Sequence, residues 1–218
     1  MSQEYITLQK PGVGIMNDRD LIGNPDMIRP FQRVLTRWGD GGKKKISYGL
    51  SSMGYDVSMG RDYKLFTPEG FFAKWRRRLR RWVGLSPKDG DVIDPHNLSN
   101  DYFVEYKDVD YIDIPPGGYL LGHTKETFDM PDDVLAVCFG KSTYARIGAV
   151  VNVTPIEPGF KGQVVIEITN GTERPIRIYS DEGVSQFIFL RANSPCLTTY
   201  ASRGGKYQNQ SGVQGALV

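Results

Sequence analysis

The chain has 218 residues, 39% of them hydrophobic, and a formal net charge of +2. That length can bury a sizeable core in one domain, and so small a net charge does not point to a nucleic-acid partner. No run reaches the roughly 18 apolar residues of a membrane span, and MSQEYITLQKPG at the start carries no apolar signal segment, so the reading is a soluble, cytoplasmic protein.

Asn17 is placed to cap a short helix over 18–22 that Gly23 ends. A second short helix or turn is expected within 27–38, and GDGGKKK (39–45) reads as an exposed loop. In KISYGLSSMGYDVSM, residues Tyr55, Val57 and Met59 alternate with smaller or polar ones, as in a half-buried strand. Residues 69–90, EGFFAKWRRRLRRWVGLSPKDG, stand apart. Lys74, Arg76, Arg77, Arg78, Arg80 and Arg81 form a dense basic run, while Phe71, Phe72, Trp75, Leu79, Trp82 and Val83 recur at helical spacing. The expectation is a helix packed on the body with solvated arginines; the other reading is a basic amphipathic helix for a membrane surface or acidic partner, through 71–83.

Further strands are expected at 102–106, 111–114, 119–123, 134–139, 149–153, 163–169, 175–179 and 184–190. Turn signals separate them: PPGG, PDD, EPGFKG and NGTERP. Strands this short and closely spaced make the fold mainly β, a barrel or sandwich, with one helical turn at 142–147. Cys138 in VLAVCF reads as a small buried side chain, and a disulfide with the distant Cys196 is not expected. From Arg203 onward the chain is rich in Gly, Gln and Ser and by itself reads as a disordered tail.

The chemistry concentrates in GKSTYARIGAVVNVTPIEPGFKGQVVIEI, residues 140–168. Lys141, Ser142 and Thr143 beside Arg146 offer a cation and hydroxyls suited to phosphate oxygens. Glu167 lies among Val164, Val165, Ile166 and Ile168. A carboxylate there is costly to bury unpaired, so it needs a raised pKa, a cationic partner or a catalytic role. A structural ion pair with Arg146 or Arg177 is the plain alternative. His96 and His123 with no C-x-x-C make a zinc-bound hydroxide improbable. Gly-Lys-Ser-Thr at 140–143 lacks the upstream glycine of a phosphate-binding P-loop, and a Ser-His-Asp triad has too few histidines. What remains suits metal-free attack by water on a ring carbon. Glu167 would be the general base, Ser142 would orient the water, and Arg146 would hold the carboxylate or stabilise developing charge.

The same stretch, with SYGLSSMGYDV at 47–57 and GGKYQNQSG at 204–212, resembles the dCTP deaminases of the trimeric dUTPase superfamily. The resemblance runs from about residue 45 onward, with 69–90 as an insertion. It implies a single domain over 1–218 with a dUTPase-like β-clip, a distorted barrel or jelly-roll-like fold with short helices. It implies a homotrimer whose active sites lie between subunits, and a hydrolase acting on a cyclic amidine C–N bond, converting dCTP and water to dUTP and ammonia. Glu167 matches the catalytic glutamate and Arg146 the active-site arginine. Lys141, Ser142 and Thr143 match phosphate-contacting positions, within a substrate-binding run that includes Tyr144, Ala145 and Arg146. Val165, Ile166 and Glu167 line the base, and a backbone carbonyl at Thr154–Pro155 helps hold the water. Gln186, Tyr200, Lys206 and Gln210 match nucleotide-binding positions, in a segment from about 203 to 218 that orders over bound nucleotide. Magnesium is expected to accompany the triphosphate, with no zinc, and dTTP is a possible feedback inhibitor. Because related dUTPases use an acid in the turn that here holds Glu157, a dUTP or dCTP pyrophosphatase, a bifunctional enzyme, or a non-enzymatic regulatory protein on the same fold stay open.

Overall fold

The computed structural model describes residues 13–66, 75, 78–80, 82–84, 92–98, 102–152 and 154–217. Helix α1 (Asp18–Ile22) begins as its sequence dictates. The Asn17 side chain accepts from the backbone N–H groups of Arg19 and Asp20, and the Asp20 carboxylate accepts from the Asn17 N–H, a reciprocal box that satisfies otherwise orphaned donors. Of the short helix or turn expected within 27–38, no α-helix forms. A 3₁₀ turn at Pro25–Met27 leads instead into strands β2 (Ile28–Arg29) and β3 (Thr36–Trp38). Met27 and Ile28 are buried there, and pairing of β2 with a neighbouring strand takes the backbone groups a helix would have used.

Two antiparallel sheets carry the fold. The first runs β12 (Pro155–Ile156), β10 (Val134–Gly140), β15 (Gly183–Arg191), β5 (Gly54–Ser58), β4 (Lys44–Ser51), β3, with β1 (Gly14–Ile15) paired to β15. The second runs β11 (Ala149–Val151), β13 (Lys161–Asn170), β9 (Tyr119–Asp129), β6 (Tyr63–Phe66), β7 (Phe103–Tyr106), with β2 on β9. A small ladder joins β14 (Ile176–Tyr179) to β8 (Tyr111–Ile114). The sheets meet face to face through alternating residues: Phe187, Phe189, Ala136 and Val57 from one, Leu120, Phe128, Ile166 and Ile168 from the other. The Phe128 and Phe187 rings stack at 5.1 Å across this seam.

Strand β5 is buried on both faces, which is why its polar residues are all engaged. Ser58 donates from its backbone N–H and its hydroxyl to the carboxylate of Glu126 on β9. Asp56 forms an ion pair with Lys141. The turn expected at 142–147 is helix α2 (Ser142–Ala145), which hangs from the end of β10.

The basic segment gives a different picture from the one expected. Most of it lies outside the described residues, including Phe71 and Phe72. Residues 75, 78–80 and 82 are helical, and Val83 donates its N–H to the Leu79 carbonyl. Trp75, Leu79, Trp82 and Val83 are exposed rather than packed on the body. Among the described residues no helix is long and apolar enough to cross a membrane.

Candidate active site

Strand β13 sends alternate residues to opposite faces of its sheet. Val164, Ile166 and Ile168 face the core, and Val165 and Glu167 face outward. On β9, paired to it, Leu121 stands opposite Glu167 and Tyr119 opposite Thr169. This outer face, with Phe66 of β6 and Phe103 of β7, floors a cavity of about 520 Å³. Thr154, Pro155 and Glu157 wall one side. Ile93, Pro95 and Leu98, which return from the basic segment, form another.

The C-terminal segment closes the cavity. Gln210 bridges Gly162 of β13, where φ of +136° and a backbone approach of 2.7 Å to the position of an added Cβ leave room only for glycine. The Gln210 amide donates to the Gln163 carbonyl at 2.8 Å, and Gly212 donates its N–H to the Gln163 side chain at 2.7 Å. Tyr207 donates its N–H to the Tyr200 hydroxyl, and Tyr200 packs edge-on against Phe160. Tyr200, Tyr207, Gln210 and residues 214–216 thereby line the cavity. The tail that reads as disordered in isolation is an ordered strap, because its few polar side chains find backbone partners on β13 and its two tyrosines pack onto the body.

Glu167 is half-buried, and burial pushes its carboxyl above the ordinary carboxylate value of 4.5. Among the described residues no cation pairs with it. Arg177 is committed elsewhere, forking onto Asp113 at 2.7 and 2.8 Å and lying 3.8 Å over the Tyr111 ring. Tyr119, on the cavity floor, has its hydroxyl pKa raised, first by burial and then by the Glu167 charge. The second carboxylate on the cavity, Glu157, pairs with Arg203 of the strap. The Thr154 carbonyl accepts from the Cys138 N–H at 3.2 Å, which leaves one lone pair for another donor.

The remaining expected site residues gather elsewhere. Ser142, Thr143, Ala145 and Arg146 are exposed on α2 and do not line the cavity, and within one chain Arg146 does not pair with Glu167. Lys141 is held by Asp56. Gln186, registered opposite Asp56, donates to the Ser51 hydroxyl at 3.1 Å. These residues form a polar patch at the end of the first sheet. Tyr144 is buried, its hydroxyl accepting from the Tyr179 N–H, so its part is to seat α2. Ile166 sits in the core and does not line the cavity. Lys206 is exposed and donates to the Leu217 carbonyl at 3.2 Å. The cavity residues Phe66, Phe103, Tyr119 and Leu121 were missed by sequence reading. Their signal was the alternation of Tyr119 and Leu121 in step with Glu167, visible only once β9 and β13 are paired.

The family described as dCTP deaminase-like matches residues 46–192. A dCTP deaminase of Acidiphilium cryptum is 47% identical over 187 residues, covering 86% of this chain and 88% of the relative. One from Campylobacter concisus is 45% identical over 187 residues (86% and 87%), and one from Gluconobacter oxydans 44% over 195 residues (89% and 92%). Among solved structures, the 2'-deoxycytidine 5'-triphosphate deaminase from Agrobacterium tumefaciens superposes with a TM-score of 0.52 at 15% identity, over 83% of this chain and 47% of that one, and so shares the fold. The chain belongs to the dCTP deaminase family.

Proposed function

We propose that the protein deaminates dCTP hydrolytically to dUTP and ammonia, with Glu167 as general base. The observation that carries this reading is a carboxylate with raised proton affinity and no described cationic partner, facing a cavity in a chain of this family. A water held by Glu167 attacks C4 of the cytosine ring. The carboxylate takes its proton and returns protons to N3 and to the departing ammonia, so one group serves successive transfers. Because burial raises its pKa, Glu167 gains the ability to act as acid as well as base nearer neutral pH.

The polar patch around α2 is the complementary half of such a site. It offers Ser142, Thr143 and Arg146 to solvent, while no lysine or arginine is among the described residues that line the cavity holding Glu167. In a homotrimer, α2 of one subunit would face the Glu167 cavity of its neighbour. Ser142 would then orient the water, Arg146 would stabilise developing charge, and Lys141 and Thr143 would meet phosphate oxygens. Gln186, Tyr200, Lys206 and Gln210 complete the nucleotide contacts in this reading. Magnesium would enter on the triphosphate, ligated mainly by phosphate oxygens and water. Feedback by dTTP belongs to the same proposal.

Complementation tests the shared site. Glu167→Gln and Arg146→Ala chains, each inactive alone, should regain activity when refolded together, since mixed trimers contain sites with both native residues. Failure to regain activity in demonstrably mixed trimers would place both residues in one subunit's site and refute the arrangement.

A further inference from the structure

The net charge of +2 conceals a local excess at one edge of the first sheet. Residues 33–45 hold five cations, Arg33, Arg37, Lys43, Lys44 and Lys45, against one acid, Asp40. The sequence folds them into a hairpin. Gly41 and Gly42 take φ of +68° and +74°, which glycine adopts without strain, and β4 then returns against β3 with Trp38 opposite Lys44. The indole and that ammonium therefore share one face. Strand β3 is the last of its sheet, so a ligand laid along its outer edge meets the side chains of both faces. Trp38 is 62% exposed, and Arg33, Arg37, Lys43 and Lys44 are exposed as well. Among the described residues none of these four cations has a partner for its side chain. Lys45 is engaged, its ammonium donating to the Asp181 carbonyl at 3.4 Å. Like charges held this close repel one another, and a polyanion relieves that repulsion while releasing its own counter-ions.

We infer that the β3–β4 hairpin is a docking surface for single-stranded nucleic acid, with phosphates on Arg33, Arg37, Lys43 and Lys44 and a base on Trp38. The side-chain chemistry selects this occupant. Guanidinium and ammonium groups suit phosphate oxygens, and an exposed indole among them offers a plane on which an unpaired base stacks. An anionic lipid surface calls for a broad apolar face, whereas Val34 and Trp38 are the exposed large apolar side chains of residues 33–45. An acidic peptide would match the charge and leave the indole without a planar partner. None of these residues lines the Glu167 cavity, so the inference is independent of the deaminase reading.

The test uses the full chain with Trp75→Phe and Trp82→Phe, which leaves Trp38 as the only tryptophan. The probe is a short oligothymidylate, fluorescein-labelled for anisotropy and unlabelled for tryptophan emission. Binding should quench Trp38, and the binding constant should fall with salt at a log–log slope of about −3, from about −0.7 for each of the four cations. Lys43→Ala with Lys44→Ala should flatten the slope to about −1.4. Trp38→Ala should weaken binding roughly ten-fold at an unchanged slope. An abasic oligomer of the same length should bind the protein that retains Trp38 with a similar loss. Circular dichroism, size-exclusion elution and turnover of dCTP should be unchanged in these variants. No binding, or an affinity and slope that the hairpin variants leave untouched, would overturn the inference. So would equal binding of the abasic oligomer or of polyglutamate, which makes the hairpin a surface for any polyanion, or altered elution of the variants, which makes it a subunit contact.

Discussion

Glu126 gives the fold a pH dependence whose size follows from its surroundings. It is 2% exposed on β9, and burial raises its carboxyl from 4.5 to about 7, although Ser58 N–H and Oγ donors at 2.8–3.1 Å oppose the shift. Because the folded value is the higher one, the native state binds the extra proton between about pH 4.5 and 7. Stability therefore falls as pH rises through that window and stays low above it. A difference of about 2.5 units corresponds to about 3 kcal/mol in full, of which about 2.5 kcal/mol is lost between pH 5 and pH 8. For a chain of this size that is roughly 5 to 10 °C in melting temperature. Glu126→Gln keeps an acceptor for the Ser58 donors and removes the proton equilibrium. Melting curves of the variant should lose that part of the slope and lie above the native protein at pH 8. A variant whose melting temperature keeps the native pH slope would refute the assignment of the slope to Glu126.

Other expectations follow from the same structure. Glu167→Gln should fold and bind nucleotide yet lose about 10² to 10⁴ in turnover. The acid limb of the native pH–rate profile should lie above the ordinary carboxylate range, since a base must be deprotonated and burial raises this one. Truncation after Ser202 removes Tyr207, Gln210 and 214–216 from the cavity wall and should leave a folded protein with a greatly raised KM for dCTP; unchanged kinetic constants would count against the strap. Asp56→Asn leaves Lys141, whose side chain is only 12% exposed, without its counter-ion. It should cost about 3 kcal/mol of stability, read by denaturant unfolding.

Where structure is local, the sequence was readable. Asn17 and Asp20 announce α1 through a box three residues wide, and the alternation of β13 and β15 marks strands that face one core. Elements that depend on distant partners were not legible. Strand β6 is four residues long and exists by pairing with β7 and β9, which lie across the basic segment. The second half of β9, from Thr124, reads as polar, yet Glu126 and Thr124 are buried because Ser58 and the Val164 N–H meet them there. The site divides the same way. Glu167 was evident from its apolar neighbours. The ion pair of Lys141 with Asp56 was not, because Asp56 lies 85 residues earlier. The hydrogen bond from the Gln210 amide to the Gln163 carbonyl, which ties the strap to β13, joins residues 47 apart and was not legible either.

The most direct test of the account is product analysis of the purified protein with dCTP, followed by dCMP and dUTP, each with and without EDTA. Deamination by Glu167 predicts dUTP and ammonia in equal amounts from dCTP, no pyrophosphate, and ammonia release slowed by about 10² to 10⁴ in the Glu167→Gln protein. Release of pyrophosphate and dCMP without ammonia would contradict it, and would move the chemistry from the ring carbon to the phosphates.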